Sequence, residues 1–289
     1  MEPICDLHIH STCSDGTLTP AELILLAQQR GIGAVALCDH NTVAGLPEFL
    51  EAAAGSGVRA VPGIEFSTDY DGSELHILAL FVMPQHYAAI SEMTSQMLRQ
   101  KEQSNQELVD RLNEAGLQID YGAIKASHPK GNINRAVIAA ELVRLGYCES
   151  TKEAFGSWLS EKRGYFHPPK RLDALETIRF IKSIGAVAVL AHPFLSLDEA
   201  KLRTFLPRAT EKGLDAMEVY YPKFSEEETA LAKLLAEENG LLPSGGSDFH
   251  GTNKPDIQLG TGRNNLHIPV CLLENLAARA AGEAKNEKR

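Results

Sequence analysis

Residues 4–22 read ICDLHIHSTCSDGTLTPAE, and this stretch sets the fold class. Residues 4–9 form an apolar run with the period of a strand, in which side chains at i and i+2 share a face, so His8 and His10 project together. Thr19-Pro20-Ala21-Glu22 then supplies an N-cap, a proline at the first helical position and a glutamate for a capping box. Gly31 closes that helix. A strand, a short loop and a capped helix make one β/α unit, and most of the chain repeats it.

The repeats place strands over residues 34–37, 59–66 and 75–82 and a helix over 43–54. The C-terminal half continues with helix 172–184, strand 186–191, helix 198–212, strand 216–220, helix 225–239 and strand 241–244. That alternation implies parallel strands covered by helices, closed as a barrel or left as an open sheet. The rhythm breaks over residues 85–169, where three helical patterns (87–115, 136–145 and 152–160) follow one another with no strand between them. Pro84 and Pro168-Pro169 punctuate this segment. The expected organisation is a discontinuous barrel over 1–84 and 170–280, a helical insertion over 85–169, and a polar tail over 281–289.

Composition narrows the function classes. With 44% hydrophobic residues in 289, the chain can bury a sizeable core without disulfides. Its five cysteines are scattered and form no CxxC pair, which favours a reducing, cytoplasmic setting. No apolar run approaches a membrane span, and the N-terminus opens on an apolar run with no basic segment before it, as expected of an untargeted chain. A net charge of -10 argues against stable, non-specific binding of duplex nucleic acid, which needs basic surface to displace counterions. It leaves a nucleotide substrate open, because bound cations can reverse the sign of a site inside an acidic protein.

Candidate ligands recur at the carboxyl ends of the predicted strands. His8 and His10 end the first, and Asp15 follows in a turn. Asp39-His40 follows the second, Glu65 ends the third, His192 terminates strand 186–191, and Asp248 and His250 follow the last. In an α/β barrel those ends converge on one mouth. His76 is the exception, one residue into an apolar strand. Six of the ten histidines thus fall on the rim, and imidazoles beside three carboxylates suit a site for several cations. Asp39 could steady a ligand histidine or cap a turn. Arg135, in the insertion near Lys125 and Lys130, has the fork geometry for a phosphate. Trp158, Tyr165 and Phe166 read more readily as packing within the insertion than as a wall for stacked bases.

These motifs resemble the polymerase and histidinol phosphatase (PHP) family, and within it the stand-alone phosphoesterases of the nucleoside 3',5'-bisphosphate phosphatase type. The matching pieces are Asp6-Leu7-His8-Ile9-His10-Ser11, Ser14-Asp15-Gly16, Asp39-His40-Asn41-Thr42, Pro62-Gly63-Ile64-Glu65-Phe66-Ser67, Leu190-Ala191-His192-Pro193 and Gly246-Ser247-Asp248-Phe249-His250. The resemblance implies a distorted (β/α)7 barrel with an all-helical insertion. It implies two or three divalent metal ions, manganese first, with iron or zinc possible. His8, His10, Glu65 and Asp248 would hold one ion, Glu65, His76 and His192 a second, and Asp15, His40 and His250 a third. It also implies hydrolysis of a phosphate monoester, the 3'-phosphate of a nucleoside 3',5'-bisphosphate, by water activated between ions. Three ions less Asp15, Glu65, Asp248 and a hydroxide leave about two positive charges for the phosphate. One departure touches the substrate: the subgroup has a histidine two positions after its phosphate-contacting arginine, and here Arg135 is followed at that place by Val137.

Rival readings use the same residues differently. An exoribonuclease acting on the 5' ends of short RNA and a histidinol phosphate phosphatase would share the barrel and ligands. A carbon–nitrogen amidohydrolase also opens with HxH, but usually bridges its metals with a modified lysine, and no lysine lies near an early strand end. A non-catalytic metal-binding module would have no turnover.

Overall fold

The computed structural model describes residues 3–128, 133–169 and 171–286. Chain order is β1 (Cys5–Ile9), α1 (Pro20–Gln29), β2 (Ala34–Leu37), α2 (Leu46–Ala53), β3 (Arg59–Tyr70), β4 (Ser73–Leu80), α3 (Tyr87–Glu114), α4 (Tyr121–Ser127), α5 (Arg135–Arg144) and α6 (Thr151–Gly156). Then come β5 (Leu172–Asp173), α7 (Ala174–Ser183), β6 (Val187–Leu190), α8 (Glu199–Glu211), β7 (Ala216–Tyr220), α9 (Glu226–Glu238), β8 (Leu242–Gly245) and α10 (Val270–Asn286).

The chain divides into two compact units, Met1–Ser91 with Leu172–Arg289, and Glu92–Arg171. The first is a distorted (β/α)7 barrel with sheet order β1-β2-β3-β4-β6-β7-β8, the short β5 pairing with β3 off this path. The segment after β8 returns to β1 through His10 N–H to Phe249 O at 2.9 Å and Asp248 N–H to His8 O at 2.8 Å. Small inward side chains (Cys5, Ala34, Ala36, Val61, Val187 and Ala216) leave room for Leu272, Leu273 and Leu276 of α10, forming one buried cluster. The capping box expected at Thr19 and Glu22 starts α1.

The expectation of uniformly parallel strands is corrected at β4, which runs antiparallel to both β3 and β6. The cause is local. Asp71 and Gly72 both have positive φ (49° and 76°), the backbone of a two-residue hairpin whose twist matches its strands. The C-terminal helix also runs on to Asn286, past the start of the expected tail, since Ala, Glu and Lys are good helix formers whatever their charge. Residues 287–289 lie outside the described residues.

The second unit contains α4, α5 and α6 and most of α3, around a core including Leu108, Leu112, Ile138, Leu142 and Phe166. Trp158 and Tyr165 pack against that core with ring centroids 5.7 Å apart. No helix among the described residues is long and apolar enough to cross a membrane.

Candidate metal centre

Glu65 is the hub of the barrel mouth. Its Oε2 lies 3.2 Å from His8 Nε2, His10 Nε2 and His40 Nδ1, and its Oε1 lies 2.8 Å from His76 Nδ1 and 3.0 Å from His192 Nε2. Four pieces of backbone deliver these five neighbours, β1 and the residue directly after it supplying both His8 and His10. The register of β1 shifts between Asp6 and Ile9, an irregularity of the kind that re-aims side chains near sites, and His8 Nε2 and His10 Nε2 meet at 3.0 Å. The loop after β2 is zipped onto β3: Asn41 N–H donates to Glu65 O at 2.8 Å, and the Asn41 side chain exchanges two hydrogen bonds with Ser67, each 2.9 Å. That zipper carries His40 to Glu65.

The descent of β4 explains why His76 sits early in a strand. An antiparallel strand enters from the mouth, so its first residues take the level that carboxyl ends occupy on parallel strands. The N–H of Ala191 donates to His76 O at 3.0 Å, bringing the end of β6, and with it His192, to the same level. On the far side, Asp248 Oδ1 lies 3.3 Å from His10 Nε2 and 3.9 Å from His8 Nε2, and Asp15 Oδ1 lies 3.2 Å from His250 Nε2. His250 Nδ1 is held 2.8 Å from the Asp248 carbonyl, which leaves Nε2 to face Asp15.

All nine predicted ligands therefore surround one pocket. Three overlapping groups have donor atoms close enough to share an ion: His8, His10 and Glu65; His40, Glu65 and His76; and His10, Asp15, His40 and His250. This differs from the partition implied by resemblance, because His10 and His40 each belong to two groups and His192 and Asp248 belong to none. The donors fit divalent cations. Glu65 Oε2 is buried with no hydrogen-bond partner among the described residues, although imidazole nitrogens converge on it, and a cation would satisfy both.

The electrostatics agree. Burial alone would raise the Glu65 carboxyl, yet His40, His8 and His76 hold it well below its usual range. Asp15 is lowered likewise against burial by His250 and His40, and Asp248 by Lys254 and His250. Burial drives His40 down to about 3. Burial opposes protonation of His10 and His76 too, but carboxylates win: Asp248 and Glu65 bring His10 to about 9, and Glu65 brings His76 to about 10.

Asp39 accepts from Ser11 N–H at 2.8 Å and from the Ser11 and Ser14 hydroxyls, each at 2.6 Å, so it orders the loop that presents Asp15. In the second unit, Arg135 opens α5 with its guanidinium 4.1 Å from the Phe166 ring centre. Lys130 lies outside the described residues.

Three residues at the site were not foreseen. Glu218, on β7, accepts from His8 Nδ1 at 3.0 Å and from His192 N–H at 2.7 Å. Lys254 Nζ and Tyr221 OH both donate to Asp248 Oδ2, at 2.5 and 2.9 Å, leaving Oδ1 for the pocket. A glutamate in the otherwise apolar strand Ala-Met-Glu-Val-Tyr was the available signal for the first.

The PHP domain model matches residues 6–164, more than half of the chain. A 5'-3' exoribonuclease of Haemophilus influenzae is 33% identical over 85% of this chain and 89% of its own length. A 3',5'-nucleoside bisphosphate phosphatase of Chromobacterium violaceum is 30% identical over 88% and 90%. A phosphoribosyl 1,2-cyclic phosphate 1,2-diphosphodiesterase of Eggerthella lenta is 32% identical over 85% and 94%. Among solved structures, a protein of Bifidobacterium adolescentis assigned as a metal-dependent phosphoesterase superposes with a TM-score of 0.84, at 28% identity over 96% of this chain and 98% of that one. Family match, full-length relatives and a pocket of convergent nitrogen and carboxylate donors agree: the chain belongs to the PHP domain family and is a metal-dependent phosphoester hydrolase.

Proposed function

We propose that the substrate is a small phosphorylated nucleotide, and that the reaction removes the 3'-phosphate of nucleoside 3',5'-bisphosphates. The observation that carries the catalytic part of this reading is Glu65, one buried carboxylate touched by five imidazoles, the disposition of a ligand shared between cations. His8, His10, Asp15, His40, Glu65, His76, His192, Asp248 and His250 would hold two or three divalent ions. Manganese is our first choice, and the mixed donors also suit iron or zinc. Bound ions of this kind lower the pKa of a water and offset the charge of the phosphate.

The chain's own residues do the rest. Glu218 and Lys254 add opposite charges beside the site and cancel, so with three ions bound a local excess of about two positive charges is left available to a phosphate dianion. Asp39 steadies His10 through Ser14, whose hydroxyl lies 3.5 Å from His10 Nδ1. Arg135, its guanidinium stacked on Phe166 in the second unit, is our candidate for a substrate phosphate contact.

One observation favours a second reading, a 5'-3' exonuclease on short RNA: identity to the Haemophilus exoribonuclease is 33%, against 30% to the phosphatase. The deciding assay offers manganese-loaded protein adenosine 3',5'-bisphosphate, histidinol phosphate and short 5'-phosphorylated RNA in parallel. Selective release of 3'-phosphate to give 5'-AMP supports the proposal. Nucleotides released from RNA with no monoester turnover would replace it with the exonuclease, and no hydrolysis at full metal occupancy would end both.

A further inference from the structure

Glu218 is wholly buried on β7, and its two oxygens each accept one hydrogen bond from different parts of the barrel: Oε1 from His8 Nδ1 at 3.0 Å, Oε2 from the backbone N–H of His192 at 2.7 Å. We infer that Glu218 is a positioning residue that fixes the tautomer of His8 and the backbone of His192 together, and that only a carboxylate can do both. The inference rests on the metal-centre reading above.

The argument turns on which atoms can donate. A neutral imidazole has one N–H. A carboxylate on Nδ1 can only accept, so it draws the proton there and leaves the Nε2 lone pair facing His10 Nε2 at 3.0 Å and Glu65 Oε2 at 3.2 Å, where an ion would be held. At His192 the partner is a backbone N–H, which cannot accept. That residue has φ 27° and ψ 57°, a left-handed conformation costly for a histidine, and the bond to Glu218 helps hold it.

Both partners of Glu218 are therefore donors. A glutamine of the same shape has one accepting and one donating end. With its oxygen toward His192, its NH2 meets His8 Nδ1, forces the proton onto Nε2 and removes that nitrogen as a ligand. In the flipped arrangement its NH2 meets the His192 N–H, and a buried donor loses its acceptor.

The test compares the full-length wild type with Glu218→Gln and a control, Asp215→Asn. Asp215 is another buried carboxylate, just before β7, bonded to Lys182 Nζ at 2.8 Å and to Ala188 N–H at 3.0 Å. Manganese affinity is measured by competition with a chelator, without substrate, and folding by circular dichroism. Glu218→Gln is expected to bind manganese about 10 to 100 times more weakly, whereas Asp215→Asn loses thermal stability and keeps wild-type affinity. Unchanged affinity in Glu218→Gln, or equal weakening in both variants, overturns the inference. Should Glu218→Gln fail to fold, nitrogen-15 NMR of the zinc-loaded wild type decides. His8 protonated at Nδ1 and metal-bound at Nε2 supports the inference, and the reverse tautomer refutes it. A wild type that takes up no metal would instead overturn the metal-centre reading, so the two failures are distinguishable.

Discussion

Replacing Gly246 by alanine tests whether the barrel mouth is as tightly built as its distances indicate. Gly246 joins β8 to Ser247 and Asp248 and lies against β1. A Cβ at this position would overlap the Cβ of His8 and lie 2.6 Å from its backbone nitrogen and 2.9 Å from its Cα. Carbon atoms are comfortable at about 3.5–4.0 Å, so one strand must give by roughly 1 Å, and the atoms in the way are backbone that cannot rotate aside. Overpacking of this kind costs about 1–3 kcal/mol. At about 2–4 °C per kcal/mol for a unit of this size, the melting temperature should fall by roughly 2–12 °C. The displacement separates His8 from Asp248, and a misplacement of about 1 Å can cost around 100-fold in rate. Thermal unfolding, manganese content and phosphate release would be measured together. Gly282→Ala is the control: it lies in α10 with open space around it, so the same substitution should stabilise by about 0.5–1 kcal/mol. A Gly246→Ala protein with wild-type melting, and a rate within about twofold of wild type, would refute the packing argument.

Three further outcomes follow from the site and the core. His10→Ala should lose phosphate release by more than the ~100-fold associated with residues that only support a ligand, while its circular dichroism stays native; a variant that retains turnover removes His10 from the ligand set. In the metal-free protein, the folded values of about 9 for His10 and 10 for His76 lie above the ordinary 6.5. Their contribution to stability is complete below about pH 6.5 and is lost as pH rises through 9 to 10, so metal-free protein should melt earlier at pH 10 than at pH 7. The metal-loaded form should show less of this loss, and identical pH profiles for both would count against it. Finally, four of the five free cysteines are buried and Cys271 is exposed, with burial pushing the Cys5 thiol up to about 12. An aromatic disulfide at pH 8 should therefore titrate one thiol quickly and four only on unfolding.

What the sequence disclosed was whatever is encoded locally. The HxH strand and the Thr19 to Glu22 capping box each need only their neighbours to be recognised, whereas Glu65, expected at a strand end, lies inside β3, which runs on to Tyr70. The Asp71-Gly72 hairpin was equally local, but its polar residues were read only as the link between two strands expected to be parallel, and so the reversal of β4 was missed. Glu218 was beyond reach for a different reason. Its role is defined by His8, 210 residues away, and nothing near it in the chain distinguishes a positioning carboxylate from a polar strand residue. Lys254 and Tyr221 likewise acquire meaning only when the segments after β7 and β8 come together on Asp248.

Three residues of the rim, Asn41, His192 and Asp248, hold positive φ values of 55°, 27° and 55°. Asparagine, aspartate and histidine are the side chains that best tolerate the left-handed well at about +50 to +70°, but 27° at His192 falls short of it, and glycine suits such a backbone best. At position 192, then, the side chain favoured by backbone energetics is the one with nothing to offer a cation. Random substitution followed by selection for heat resistance alone should drift toward glycine there and yield a sturdier, inert barrel. Holding the histidine in place requires continued selection for turnover, and a lineage freed from that requirement should lose it early.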